Sequence, residues 1–423
     1  MNKNSIRKTV KVLFISTISV FIGWVGLHSA HLFQKQTYIS DDFLSKINTP
    51  YGWRYANLNK EAVLNLTGPR QDEYLLVITD QLSVLNNSSL ESYSRKIVDG
   101  IASNILEPSI SNPERLKVNG FTCVMQQVNG KFKADDSTVV GISYTLAHIQ
   151  GKKAVYQIHY WTDANLYAER FETHMQILES FVELPGYNVT SETWELIENI
   201  RLSQMIQKLP ETFNKVMVTT FGKSSKLEKL GSTTFPEKQL KSEIALYIAN
   251  TNSPGIVKKM NRFYADSLYQ KIKIEEQKAF SAPQQQAKAT FIEKLKSKNR
   301  PKTPRINLVR DIIKYSGYAE LKSNLTMGIM ELVVYTYLNY NQQEYNTTTI
   351  QSKLISQRKG VLSKYKNDLL DEYLFAYRSL SDVELKKYVS FLDTEEGRYS
   401  IRLSRNIVAF LLNRADRNIS RAL

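Results

Sequence analysis

The 423-residue chain predicts two folded parts behind an apolar leader: an α+β domain, with an antiparallel sheet and two helices, followed by an all-α domain. Three observations predict it. Short apolar runs of strand type cluster between residues 41 and 186, strand signals stop near Ser191, and helical spacing dominates from there to the C-terminus. With 42% apolar residues, the chain has enough material for two or three cores.

The leader comes first. Lys3, Arg7, Lys8 and Lys11 precede an apolar run from Val12 to Leu27, the charge-then-apolar order of an export segment. Positive charge ahead of the run predicts that the short N-terminus stays in the cytoplasm and the body is exported. An A-x-A cleavage site is missing, because the residue two places before Ala30 is the bulky His28. Residues 1–34 are therefore expected to act as a signal anchor that holds the protein to the inner membrane through residues 12–33, with the body in the periplasm. A soluble periplasmic or secreted form after cleavage is the alternative.

Residues 41–186 read as the α+β domain. Strand-type runs occupy Gly52–Leu58, Ala62–Leu66 and Tyr74–Thr79, and helical spacing covers Leu90–Ile105. Three longer runs follow at Leu116–Val128, Thr138–Ile149 and Ala154–Thr162. Turns expected at Asn129-Gly130 and at Gly151-Lys152-Lys153 would fold these into a meander. A closing helix is marked by Tyr167, Phe171, His174, Met175, Leu178, Phe181 and Val182 on one face.

That strand order, with the closing stretch "YQIHYWTDANLYAERFETHMQILESFVEL", resembles the PsbP-like superfamily. The resemblance implies a domain that binds partners and has no shared catalytic site.

From about Ser191 the chain reads as helices punctuated by Pro210, Pro236, Pro254, Pro283, Pro301 and Pro304. The segment "KLKSKNRPKTPR" holds six cations, Lys294, Lys296, Lys298, Arg300, Lys302 and Arg305, with two prolines. It is expected to be an exposed linker between a helical subdomain at 190–300 and a helical domain at 305–423, because neither feature is easily buried. Farther on, Ser381 and Glu384 form a capping box ahead of a stripe made by Leu385, Tyr388, Val389 and Leu392, and Gly397 marks a helix junction. The stretch "LSDVELKKYVSFLDTEEGRYSIRL" is similar to a bacterial envelope family, domain of unknown function 2059, over about residues 305–420. It departs from that pattern at Leu392-Asp393.

Chemistry is harder to find. There is no G-x-S-x-G elbow, no phosphate loop, no dinucleotide fingerprint and no H-E-x-x-H helix. No cofactor or metal is expected. His148 and His159 lie on adjacent strands, yet a hairpin pairing His148 with about Val155 would keep their rings apart; His174 is expected to pack or cap. The single cysteine, Cys123, alternates with Phe121 and Met125 and should be buried. The acidic pairs Asp41-Asp42 and Asp135-Asp136 lack calcium-loop spacing and are expected to be solvated. Leu369, Tyr373, Tyr377 and Leu380 fall at helical spacing, as a packing stripe does.

Charge is uneven. Residues 41–186 carry 13 Lys/Arg against 17 Asp/Glu, whereas residues 187–423 carry 38 against 24. A basic exported surface suits anionic lipid, wall polymer or an envelope protein, and nucleic acid is not the partner expected there. The expectation is a non-enzymatic binding module of the cell envelope, with the six linker cations as the anionic-surface contact. The alternative is an envelope hydrolase with a site between the two folded parts.

Overall fold

The structure, a computed structural model, describes residues 35–133, 138–200, 202–222, 230–296 and 301–423. It contains the expected α+β domain and the all-α part behind it. The leader lies outside the described residues. No described helix is long and apolar enough to cross a membrane.

The α+β domain holds two antiparallel sheets. In the smaller, β1 (Lys35–Ile39) pairs with β2 (Ser45–Pro50), which pairs with the short β11 (Val182–Glu183). The larger sheet has eight strands: β3 (Arg54–Tyr55), β4 (Leu64–Thr67), β5 (Glu73–Gln81), β10 (Ala154–Asp163), β9 (Val139–Gln150), β8 (Phe121–Lys133) and β6 (Leu106–Ile110) in spatial order, with β7 (Glu114–Val118) also on β8. Alternation along the strands feeds two cores. Tyr156, Ile158 and Tyr160 point with Cys123, Met125, Leu75 and Val77 into a core that also takes Ile177 and Leu178 of α2 (Tyr167–Glu179). Val124, Val128, Leu146 and Val155 face the other way, under Leu90, Tyr93, Val98 and Ala102 of α1 (Leu90–Ala102).

The structure corrects the strand reading. The run Leu116–Val128 is a hairpin, β7 and β8, that turns at Asn119-Gly120, where both residues have positive φ, 48° and 86°. Asn129-Gly130 is no turn, because β8 continues through it. Gly130 sits there for a different reason: a Cβ would lie 2.3 Å from Ile105 Cγ2 and 2.8 Å from the Leu106 carbonyl, where β6 crosses. Strands β1, β2, β6 and β11 were not anticipated. Most of Gly52–Leu58 is not strand, and α1 stops at Ala102.

The histidine register differs as well. Gln150 pairs with Val155 and His148 with Gln157, two residues from the expected alignment. The His148 and His159 rings therefore meet edge-on at 6.1 Å. His174 packs as expected, stacked on Tyr160 at 4.2 Å, and Cys123 is fully buried.

Twelve described helices make up the rest. They are α3 (Ser191–Asn199), α4 (Leu202–Phe221), α5 (Leu230–Thr234), α6 (Glu237–Thr251), α7 (Pro254–Tyr264), α8 (Ser267–Phe280), α9 (Gln285–Lys296), α10 (Thr303–Ser316), α11 (Tyr318–Tyr340), α12 (Thr347–Ala376), α13 (Asp382–Leu392) and α14 (Glu395–Ala422). Pro210 breaks no helix; it lies inside α4. Pro254 occupies the first turn of α7, where its missing N–H is no loss. The Ser381 capping box and the buried stripes of α12 and α13 form as read. Gly397 lets α14 begin against α13, since a Cβ would stand 2.1 Å from the Leu392 carbonyl oxygen.

Two cores hold these helices, and they interleave along the chain. One joins Leu196, Phe213, Ile244 and Met260 to Ile329, Leu403, Ile407 and Leu411, and thus unites residues on both sides of the 294–305 segment. The other gathers Ile272, Leu295, Val309, Leu369, Tyr377 and Leu385. Helix α14 also reaches the sheet domain, touching β1 and β3.

Candidate functional site

A cleft of about 600 Å³ opens where the two parts meet. The sheet domain contributes Lys35, Lys46, Tyr51, Trp53 and Arg54 from β1, β2 and the turn into β3. Helix α11 adds Met327, Glu331 and Tyr335, and α12 adds Gln351, Leu354, Ile355 and Arg358. Helix α14 completes it with Arg405, Leu412 and Asp416 among others. At Gly328 a Cβ would come within 2.2 Å of Leu412 Cδ1, so the glycine leaves room for the Leu412 side chain between α11 and α14.

Arg54 lies at the inner end of the polar network. It is ion-paired to Asp416, donates to the Tyr345 hydroxyl at 2.9 Å, and lies 3.5 Å above the Tyr335 ring. The second oxygen of Asp416 accepts from the Tyr55 amide at 3.1 Å. Burial works against the Arg54 charge, but Asp416 more than restores it and the guanidinium pKa is raised. Glu331 is the acid of the cleft. Gln351 Nε2 donates to it at 2.8 Å, and the Tyr51 hydroxyl lies 3.5 Å from its other oxygen. Loss of solvation raises the Glu331 carboxyl pKa, and the Gln351 hydrogen bond and Arg54 only partly oppose this.

Trp53 and Gln351, which line this cleft, are 1% and 4% exposed, and among the described residues Trp53 Nε1, Gln351 Oε1 and Gln36 Oε1 have no hydrogen-bond partner. These atoms are shielded from solvent within the cleft wall.

Beside the cleft a second ion network joins the parts. Asp41 accepts from Arg414, from Arg417 at 2.6 Å and from Arg421 at 2.5 Å, and Arg417 also donates to Glu243 at 2.8 Å. Arg414 and Arg417 are buried. Burial alone would raise the Asp41 pKa, but Arg414 and Arg417 lower it below the usual carboxylate range. The expectation of a solvated Asp41 is thus corrected: the residue faces three arginines of α14. Asp135 and Asp136 lie outside the described residues.

The six linker cations do not share one surface. Lys294 and Lys302 are exposed, at the end of α9 and at the N-cap of α10. Lys298 and Arg300 lie outside the described residues, as does the Lys296 side chain. Arg305 is used internally, bonded to Asp382 at 2.5 Å and to the carbonyls of Tyr377 at 2.5 Å and Leu380 at 3.0 Å.

Sequence reading missed Arg54, Glu331, Arg405 and Asp416. One signal for the arginines was present. The apolar stripe Leu403, Ile407, Phe410 of α14 continues on the same helical face as Arg414, Arg417 and Arg421, and cations that extend a core stripe are candidates for burial with partners.

Fold and cleft together define an α+β sheet domain joined to an all-helical domain around a shared pocket. No family model matches the chain, and no curated protein matches it. The similarity of residues 305–420 to domain of unknown function 2059 therefore has no support. Among solved structures, the chain is similar to the PsbP protein of Synechocystis sp. PCC 6803, at 12% identity and TM-score 0.29, covering 38% of this chain and 98% of that one. The Ran-binding protein Mog1p of Saccharomyces cerevisiae matches at 10% identity and TM-score 0.28, covering 36% of this chain and 96% of that one. LpqN of Mycobacterium tuberculosis, a protein involved in cell envelope biogenesis, matches at 12% identity and TM-score 0.24, covering 37% and 88%.

Proposed function

We propose that this chain is a non-catalytic binding module of the bacterial envelope, tethered through residues 12–33, that holds a small ligand in the cleft between its two parts. The observation that carries the reading is the cleft itself: about 600 Å³, lined by both parts. That volume lies within the usual range for small-molecule sites. The tether rests on the cationic, apolar leader, and Lys294 and Lys302 offer exposed cations for an anionic membrane surface.

A hydrolase is the second reading, favoured by one observation. Glu331 is a carboxyl group with a raised pKa in a deep cleft, the condition of a general acid. One experiment separates the two. The full chain is expected to stay in the carbonate-washed membrane pellet and, extracted in mild detergent, to retain a small molecule by native mass spectrometry. Binding alone predicts the same mass on wild type and on Glu331→Gln. Hydrolysis predicts a larger, intact substrate on Glu331→Gln only. Recovery of the unprocessed chain in the carbonate wash contradicts the tether, and an empty protein contradicts the binding role.

A further inference from the structure

The cleft's ligand class follows from what lines it, and this inference rests on the binding reading above. Its charged lining residues are Lys35, Lys46, Arg54, Arg358 and Arg405 on one side of the ledger and Glu331 and Asp416 on the other. Arg54 and Asp416 cancel as an ion pair, which leaves Glu331 as the one acid against four cations. What remains is cationic.

Two of these cations come from facing walls of the cleft. Arg358 is half-buried on α12, where its guanidinium donates to Asn324 at 2.7 Å, and Arg405 lines the same cleft from α14. Desolvation lowers the Arg358 pKa, and the Arg405 charge adds to this to a smaller extent. Glu320 and Tyr51 favour the Arg358 charge to a lesser extent, and Glu320 is itself paired with Lys366 at 3.3 Å. Arg405 is exposed and, among the described residues, makes no hydrogen bond or ion pair. Two guanidiniums lining one cleft suit the oxygens of a carboxylate or phosphate.

The same cleft is lined by partly exposed apolar side chains: Met327, Leu354, Ile355 and Leu412. A small inorganic anion would leave this surface wet, and a neutral hydrocarbon would leave the Arg405 charge unmatched. An apolar chain carrying an anionic head satisfies both.

We infer that the interdomain cleft binds a single-chain anionic amphiphile, its head at Arg358 and Arg405 and its chain along Met327, Leu354, Ile355 and Leu412. A fatty carboxylate and a lysophospholipid share this chemistry, and separate probes distinguish them.

The test uses the full chain in calorimetric titrations with four probes: palmitate, 1-palmitoyl lysophosphatidate, an uncharged maltoside of similar chain length, and inorganic phosphate. At least one anionic amphiphile is expected to bind at one site, at least tenfold more tightly than both the maltoside and phosphate. The better of palmitate and lysophosphatidate identifies the head. Arg405→Glu, a change at an exposed position, is expected to weaken that probe at least tenfold, and Leu354→Asp to do the same. Unchanged thermal unfolding of both variants guards against misfolding. A maltoside that binds equally well overturns the role of the arginines, and phosphate that binds equally well overturns the role of the apolar lining. If no probe binds but envelope-purified protein carries a small molecule, the ligand class is wrong while the binding role stands. If that protein is also empty, both fall.

Discussion

Lowering the pH from 6.5 to 4 is expected to remove several kcal/mol of stability, with up to three protons taken up on unfolding. Three histidines are buried and neutral. Burial lowers the pKa of His148 to about 3, with the nearby His159 a smaller cause, and burial lowers His159 to about 4 and His174 to about 3. Ser94 Oγ lies 2.9 Å from Nδ1 of His148, and the Tyr93 ring meets it edge-on at 5.7 Å. Tyr93 and Gln157 occupy the neighbouring Asp80 carboxylate, with Gln157 Nε2 donating to it at 2.6 Å. Among the described residues, Nε2 of both His148 and His159 has no partner, and neither ring nitrogen of His174 has one. Asp80 favours a charge on His159, but burial outweighs it.

The direction follows from linkage. Below about pH 6.5 an unfolded histidine binds a proton while the folded one stays neutral, so unfolding gains protons and stability falls with falling pH. The contribution is whole above the unfolded pKa and is lost through the window down to the folded values near 3 and 4. Each histidine supplies a slope of about 1.4 kcal/mol per pH unit inside that window. Denaturant titrations at half-unit intervals of pH measure it. His174→Phe, which keeps a ring against Tyr160, should lower the slope by about one proton. Stability that stays level from pH 6.5 to 4 would contradict the buried neutral state of these rings.

Asp41→Ala is expected to destabilise the folded chain by about 3–5 kcal/mol, the cost of removing one partner from a buried ionic cluster. The loss leaves Arg414 and Arg417 buried with Glu243 as their remaining carboxylate. Arg421 is half exposed, so Arg421→Ala should cost about 1 kcal/mol or less. Urea unfolding of the two variants reads the contrast directly. Equal, small effects would mean that α14 does not depend on Asp41 for its place against the sheet domain.

Much of the fold was legible because its elements obey local rules. Strand alternation in Ala154–Thr162, the stripe Leu369, Tyr373, Tyr377, Leu380 and the Ser381 cap all express a period or a cap within a few residues. The strand β2 did not, because of its inward positions Ser45, Ile47 and Thr49 only one is apolar. Asn129-Gly130 looked like a turn because Gly serves both turns and close approaches, and only the crossing of β6 shows which. The cleft was illegible for a stronger reason. Arg414 finds Asp41 across 373 residues and Arg54 finds Asp416 across 362, and no window of sequence contains such a pairing. The setting of Glu331 depends on Tyr51, 280 residues earlier.

The account stands on the interdomain cleft as the place where a ligand sits. A photoreactive amino acid placed at Ile355 in intact cells should crosslink a discrete small molecule, identified as one added mass on the peptide carrying position 355. The same group at the exposed Lys364 of the same helix should not. Crosslinking at position 355 to water alone, or the same products at both positions, would contradict it.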